Sequence, residues 1–413
     1  MAEAKKQEEG MSFMGAAIIG FISFLSLIDL FGPQAIGPIL TESFGVSPST
    51  MGFAINASTM GMAIAGLGVA LVSRSLDRRK WIWVCLSLLT IPTIALAYAD
   101  TIEVFTALRI TQGLLMAVAF TLTMAYLSEN CTASKAVTAM AAYITGNVAS
   151  NLLGRLMSAS IVEFISVEAV FYVLAALNVV GAILAMKYIG LSDKHIKKPE
   201  IPEDKKPHFA CPIEAGRVCG VWYQHLANPR LVSSFVIGFI ILFVFIGAYT
   251  YINYVLSSDK FGLDAATLGL VYFVFIPSVF TTPIAGKFAR KMGVRLTYWL
   301  SSIVSVVGLM CLLFPQLPVV LFGLAILAVG LFFAQASITG FVGQAATTER
   351  AAASGLYLSS YYFGGLCGAI VLGKVFEIYG WGASVWLMVG LLVLSCVLAV
   401  SLNLKKMTKP MKA

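Results

Sequence analysis

The sequence predicts an all-α membrane protein with twelve transmembrane helices in two pseudo-symmetric six-helix bundles. Three observations carry this. The first is composition: of 413 residues, 59% are hydrophobic and 12% charged, with a mean hydropathy of +0.88, too few charges to coat a water-soluble fold. The second is a series of apolar runs of membrane length, at 14–40, 51–73, 81–98, 104–127, 136–161, 168–189, 231–256, 265–288, 296–314, 318–341, 352–375 and 382–403. A helix needs about 20 such residues to cross a hydrocarbon core. The runs are continuous rather than alternating, which excludes a β-barrel. The third is an internal repeat. Phe44-Gly-Val-Ser-Pro-Ser-Thr-Met-Gly52 matches Phe261-Gly-Leu-Asp-Ala-Ala-Thr-Leu-Gly269, Ala70–Arg79 matches Gly286–Arg295, and Tyr143…Gly154 matches Tyr357…Gly368, all at nearly the same offset. A duplicated array of this kind places a substrate site near mid-membrane between the halves.

In chain order, residues 1–13 mix Lys5 and Lys6 with Glu3, Glu8 and Glu9 and present no cleavage site, so the first span reads as an uncleaved anchor. That span carries Asp29 near its middle and the breakers Gly32, Pro33, Gly37 and Pro38, which let it bend. A basic loop (Arg74, Asp77, Arg78, Arg79, Lys80) joins the second and third spans. The fourth span holds Arg109 and Gln112, and the fifth Asn147, Asn151 and Arg155. After the sixth, residues 190–230 form the one long hydrophilic connection. Asp193–Pro207 reads as a flexible linker and Pro212–Leu226 as an amphipathic helix with Val218, Val221, Trp222 and Leu226 towards lipid. The division is therefore 1–189, 190–230 and 231–413. In the second half the seventh span carries Tyr251 and Asn253, the tenth Gln335, and the eleventh Tyr361 and Tyr362.

Net charge is +8, but the basic residues sit between spans, which excludes a nucleic-acid surface. Lys and Arg crowd one set of loops, including Arg290, Arg295 and Arg350 with the two tails, whereas the other set holds mainly Glu42, Asp100, Glu163, Asp259 and Glu377. The positive-inside rule then puts both termini in the cytoplasm of a multi-pass protein of the cytoplasmic (inner) membrane. The seven cysteines are scattered and form no disulfide framework, and Cys211, Cys219, His208 and His225 fit no standard zinc spacing. No metal or cofactor is expected. No nucleotide-binding Gly-x-x-x-x-Gly-Lys-Ser/Thr signature occurs, which argues against ATP-driven pumping. All three histidines lie in the central connection, so no catalytic cluster suggests an enzyme.

Ala70–Lys80 and its repeat Gly286–Arg295 resemble the basic inner-loop signature of the major facilitator superfamily. This chain departs from that pattern by having Arg74 and Arg290 at an acidic position and Asp77 at a glycine. Arg109-Ile-Thr-Gln112-Gly113 resembles the Arg-x-x-Gln-Gly signature of the superfamily's proton-antiporter branches. Gly146-Asn147 and Asn151-Leu-Leu-Gly154-Arg155 resemble their glycine-rich fifth span, without its proline and with Arg155 added. Phe261–Gly269, Gly355-Leu-Tyr357 and Tyr361-Tyr-Phe-Gly-Gly365 resemble bacterial sugar- and drug-efflux permeases of that branch. The resemblance implies the major facilitator fold, alternating access and proton-coupled efflux. It also implies a gating role for Arg74, Asp77, Arg78, Arg79, Arg290 and Arg295, for which a plain positive-inside loop is the competing account.

Asp29, Arg109 and Arg155 are the buried charges. At 1.5 Å per residue Asp29 lies roughly 22 Å into a core ~30 Å thick, and Arg109 about 8 Å in from the opposite face. The two therefore share a height, with Arg155 in the same half. Intramembrane charges mark function by default. Three readings follow. Asp29 is a proton site, alternately ionised against Arg109 and protonated. Or two cations against one acid leave surplus positive charge for an anionic solute, and oppose protonation. Or Asp29 and Arg109 form a permanent structural pair. Gln34, Asn56, Gln112, Asn147, Asn151, Tyr251, Asn253, Gln335 and Tyr361 are the candidate substrate contacts, each equally readable as helix–helix glue. The expected partners are a small organic solute, protons and lipid, with the chain acting as a monomer.

Overall fold

The computed structural model describes residues 13–72, 77–130, 133–189, 223–346 and 350–402. These residues are almost wholly helical. The helices are α1 (Phe13–Ala35), α2 (Gly37–Phe44), α3 (Pro48–Val72), α4 (Arg78–Leu96), α5 (Ile102–Asn130), α6 (Ala133–Phe164), α7 (Val167–Leu184), α8 (Pro229–Ser257), α9 (Ala265–Val271), α10 (Ile276–Thr281), α11 (Ala285–Met292), α12 (Val294–Cys311), α13 (Leu317–Ala345) and α14 (Arg350–Leu398). Among the described residues nine helices are long and apolar enough to cross a membrane, or ten when the bent pair α1–α2 is taken as one span. Two further features bear on the expected twelve. α14 is 49 residues long and breaks at Gly380, whose φ of 79° is left-handed, and α6, outside that count, has 32 residues, long enough to cross a membrane.

The first span is broken where its prolines and glycines fall. α1 and α2 meet at an angle of 63° around Ile36. Pro38 opens α2, where a missing N–H costs nothing. Gly45, at φ 61°, closes it in the left-handed conformation that glycine adopts without strain. The run 265–288, expected as one helix, is instead jointed. Two short 3₁₀ turns, Tyr272–Phe275 and Thr282–Ile284, separate α9, α10 and α11. Pro277 and Pro283 lack the N–H a continuous ladder needs there. At the head of this segment the Thr267 hydroxyl and N–H bond Asp264, holding its carboxyl below the usual carboxylate range. Asp77, Ser166 and Asn228 cap α4, α7 and α8 in the same way.

Packing follows the repeat. α1 lies on α6, α3 on α5, and α4 on α5 and α7. In the second half α8 lies on α14 and α12 on α13. The halves meet where α3 packs on α14 and α6 on α9. Consecutive spans alternate direction, so the molecule has two ends: a near end, where residue 13 and the α3–α4 connection lie, and a far end, where Phe44–Pro48 lies. Close approach of α3 and α5 requires glycine, since a Cβ on Gly113 would stand 1.9 Å from the Ser58 carbonyl oxygen and one on Gly61 2.1 Å from that of Ile110. This contact sets the distance between Ser58 and Arg109.

Candidate functional site

Asp29 is wholly buried, on the face of α1 that meets α5 and α7. Its Oδ1 accepts from the Thr93 hydroxyl at 2.9 Å and the Gln112 amide at 3.0 Å. Its Oδ2 is buried without a hydrogen-bond partner. The Asn178 amide of α7 stands beside the carboxylate, donates to Thr93 at 3.3 Å, and leaves its own Oδ1 without a partner.

Arg109 does not pair with that carboxylate. Its Nη1 donates to the backbone carbonyl of Asp29 and to Gln112 Oε1, both at 2.7 Å. Its Nη2 donates to the Leu30 carbonyl at 3.3 Å and the Ser58 hydroxyl at 3.0 Å, and its Nε to the Ile55 carbonyl at 2.9 Å. All five guanidinium N–H groups are thus spent on neutral acceptors. They tie α1, α3 and α5 together at one level, the shared height expected from the rise.

Arg155 forms a separate centre. It is wholly buried on α6, and its Nη2 donates to Gln34 Oε1. Its Nε and Nη1 have no partner. Five aromatic rings surround the guanidinium carbon: Tyr272 at 4.7 Å, Phe275 at 5.1 Å, Phe31 and Tyr249 at 5.4 Å, and Phe245 at 5.7 Å. Such contacts contribute ~0.5–2 kcal/mol each and offset part of the cost of burying a cation without a carboxylate. The three buried charges expected at a similar height in the first half therefore form two centres. The acid and Arg109 belong to α1, α3, α4, α5 and α7, whereas Arg155 faces the junction of the two halves.

A cavity of about 340 Å³ lies between the halves, from mid-span towards the near end. Leu27, Leu30, Phe31, Phe120, Leu242, Phe245 and Phe332 make its walls mainly apolar, with polar points at Asn147, Asn151, Gln335, Tyr361 and Tyr362. None of the three buried charges lines it. Asn151 lies one helical turn from Arg155, and Phe31 and Phe245 both line the cavity and flank that guanidinium.

At the far end the halves are joined. Asn253 donates to the Gln34 carbonyl at 2.9 Å, and Asn56 donates to the Thr250 hydroxyl at 3.2 Å. Thr41 and Tyr254 share a hydrogen bond of 2.8 Å, and the Ser49 N–H reaches Glu377 at 2.7 Å. Gln34 sits at the crossing, since its amide also donates to Asn56 Oδ1 at 2.7 Å.

Of the candidate contacts, Asn147, Asn151, Gln335 and Tyr361 line the cavity, Gln112 belongs to the Asp29 network, and Gln34, Asn56, Tyr251 and Asn253 belong to the far-end closure. Arg74 and most of the 190–230 connection, including Cys211, Cys219 and His208, lie outside the described residues. His225 is buried. Among the described residues no group of three or more His, Cys, Asp or Glu is placed to hold a metal. At the near end Asp77 caps α4 against the Lys80 N–H, Arg79 lies over Tyr126 at 5.4 Å and Arg295 over Trp299 at 5.2 Å. Arg290 is exposed, and Arg78 opens α4. Sequence reading missed Thr93, Asn178 and Ser58, single polar residues with no spacing signal. It also missed the five rings around Arg155, which are indistinguishable in sequence from lipid-facing aromatics.

Residues 19–275 and 238–410 match the family model described as Major Facilitator Superfamily. The chain is 23% identical over 389 residues to a protein of Buchnera aphidicola subsp. Schizaphis graminum named an uncharacterized transporter, covering 93% of this chain and 89% of that one. It is likewise 23% identical to the uncharacterized MFS-type transporter YybF of Bacillus subtilis, covering 91% and 88%. Among solved structures the nucleoside transporter NupG superposes with a TM-score of 0.72 at 14% identity, over 94% of this chain and 99% of that one. At that identity the likeness is one of fold.

Proposed function

The chain belongs to the Major Facilitator Superfamily, and from that membership we propose that it is a secondary active transporter that exports a small organic solute in exchange for inward-moving protons. The coarser statement, a multi-pass membrane transporter of this superfamily, follows from the family match itself. In our reading the chain makes twelve crossings of the cytoplasmic membrane. These form bundles at 1–189 and 231–413 around the 190–230 connection, with the near end and both termini in the cytoplasm. The far-end closure then makes this the inward-facing arrangement.

What supports the proton reading is Asp29 itself: it is wholly buried, no cation among the described residues is bonded to its carboxylate, and its Oδ2 has no hydrogen-bond partner. A buried carboxylate without a cation on it costs several kcal/mol as an anion, and taking up a proton removes that cost. When the proton leaves, the charge on Asp29 draws the Arg109 guanidinium off the carbonyls of residues 29 and 30. The hydrogen bonds that hold α1 against α5 then change, and with them the angle between the helices that close the far end. This is a local charge change acting on a two-state packing.

The alternative, an organic-anion transporter or exchanger using both buried arginines, narrows on the same geometry. Arg109 has no N–H to spare, whereas Arg155 spends one, on Gln34, and its Nε and Nη1 have no partner. A permanently structural Asp29–Arg109 pair is disfavoured because no direct contact joins the carboxylate to the guanidinium.

Purified protein in liposomes, with a pH-sensitive dye inside and a panel of sugars, organic acids and cationic drugs outside, tests the reading. We expect one class to move protons against its own flux, and Asp29→Asn to abolish that movement. Solute flux that ignores an imposed pH gradient would refute proton coupling.

A further inference from the structure

Resting on the transport reading, we propose that Arg155 is the recognition point for the solute and that the solute is an organic anion, a monocarboxylate with an apolar, ring-sized body. The guanidinium is wholly buried between the two halves. Of its five N–H donors, the one on Nε and the two on Nη1 have no acceptor. Among the described residues no carboxylate pairs with it. Arg109, a few helices away, gives the contrast, with five bonds to five neutral acceptors. Arg155 is a cation with unspent capacity.

The cavity supplies the rest of the site. It ends beneath Arg155, with Phe31 and Phe245 forming the partition and Asn151 one turn below the guanidinium. Asn151 Oδ1 is itself buried without a partner. The walls are otherwise mainly apolar, and about 340 Å³ is the size of small-molecule sites. A body that fits such walls and a head that satisfies an unpaired guanidinium together describe an amphipathic anion. A carboxylate binds a guanidinium through two parallel N–H bonds, and either fork includes Nη2, the nitrogen now held by Gln34. Nη2 carries two N–H groups and Gln34 takes one of them, so a head that takes the fork on that side competes with Gln34.

That competition has a consequence at the far end. Gln34 also donates to Asn56, and its carbonyl accepts from Asn253 of the opposite half. Asn253 in turn accepts from Tyr272, whose ring lies against Arg155. Loss of the Gln34 bond loosens one closed ring of contacts between the halves, so an anion bound from the near side favours opening of the far side.

The test uses three probes of one shape, 3-phenylpropionate, 3-phenylpropionamide and 3-phenylpropylamine, with the full-length protein in detergent at pH 7.5. Binding is read as a thermal shift against probe concentration. The acid is expected to bind at least tenfold more tightly than the amide, with the amine weakest. Arg155→Gln should erase the preference. Arg155→Lys, which keeps the charge, should retain a reduced preference for the acid and serves where the glutamine variant does not fold. Gln34→Ala should tighten acid binding without affecting the amide. An acid that binds no better than the amide, or that does not bind, overturns the proposal. Flux in liposomes separates it from the broader reading: acid binding without any transport would refute transport and leave the anion site standing.

Discussion

Arg109 holds the backbone carbonyl of Asp29 at 2.7 Å and leaves its carboxylate to Thr93 and Gln112. The arginine therefore fixes where α1 lies without fixing the charge of the acid it carries. Position and protonation are separated at one residue.

Asp29→Asn is expected to leave a folded protein that no longer couples protons to solute. Asparagine keeps an oxygen for the Thr93 and Gln112 donors and, like the protonated acid, carries no charge. The thermal midpoint should fall by no more than a few degrees, since a near-isosteric change of under ~1 kcal/mol shifts a large domain little. Solute exchange without a gradient should persist while gradient-driven flux disappears. Gradient-driven flux at the original rate would remove Asp29 from the mechanism.

Arg109→Met is expected to be far more damaging to the fold. It strands the carbonyls of Asp29, Leu30 and Ile55 and the hydroxyl of Ser58. Each buried polar group left unsatisfied costs about 1–3 kcal/mol. The variant should elute as aggregate on size-exclusion chromatography, and Arg109→Lys should recover part of the monodisperse peak. A Met variant as stable as the parent would show that water or other donors replace the guanidinium.

The sequence displayed the membrane class, the repeat and the height shared by Asp29 and Arg109, because hydropathy and helical rise depend on local order alone. It also marked the break in the first span, since Gly32, Pro33, Gly37 and Pro38 state it directly. What it did not display is which face each charge occupies. Asp29 and Arg155 both read as buried charges of the first half, yet one looks towards α4 and α5 and the other towards α8 and the 3₁₀ turn Tyr272–Phe275. That depends on helix rotation fixed by distant contacts such as Gly113 against Ser58 and Gly146 against Gly20. The rings around Arg155 come from α1, α8 and the jointed segment that begins at α9, and no short-range pattern gathers them.

Gly113→Ala is expected to act through Arg109 although alanine touches no solute. Its Cβ would stand 1.9 Å from the Ser58 carbonyl oxygen and 2.7 Å from that carbonyl carbon, both backbone atoms that cannot swing aside. α3 and α5 must separate, which lengthens the Arg109 bonds to Ile55 and Ser58. The predicted signature is a lower thermal midpoint with loss of flux. Gly68→Ala, where nothing lies within 4 Å, should be silent in both assays. Equal behaviour of the two variants would contradict the close-contact account.

Gly52→Leu is expected to hold the far end open. A Cβ at Gly52 would lie 2.3 Å from the Tyr251 hydroxyl and 2.8 Å from its ring carbon. Tyr251 has nowhere to retreat: it is wholly buried, bonds the Ala369 carbonyl, and packs on Tyr254 and Phe376 at ring distances of 6.1 and 5.6 Å. The halves must therefore part where Asn56 meets Thr250 and Thr41 meets Tyr254. A cysteine in place of Thr250, in a protein with its native cysteines replaced, reports the parting. A membrane-impermeant maleimide added to intact cells should label it several-fold faster with Gly52→Leu than with glycine, because the closed arrangement buries residue 250. Cys85, buried within the first half, serves as the unfolding control when retained alone, and its labelling should not change. Faster labelling at residue 250 with Cys85 still protected identifies an opened far end. Unchanged labelling at residue 250 would show that Gly52 and Tyr251 do not form the closure, and faster labelling at both positions would show unfolding instead of gating.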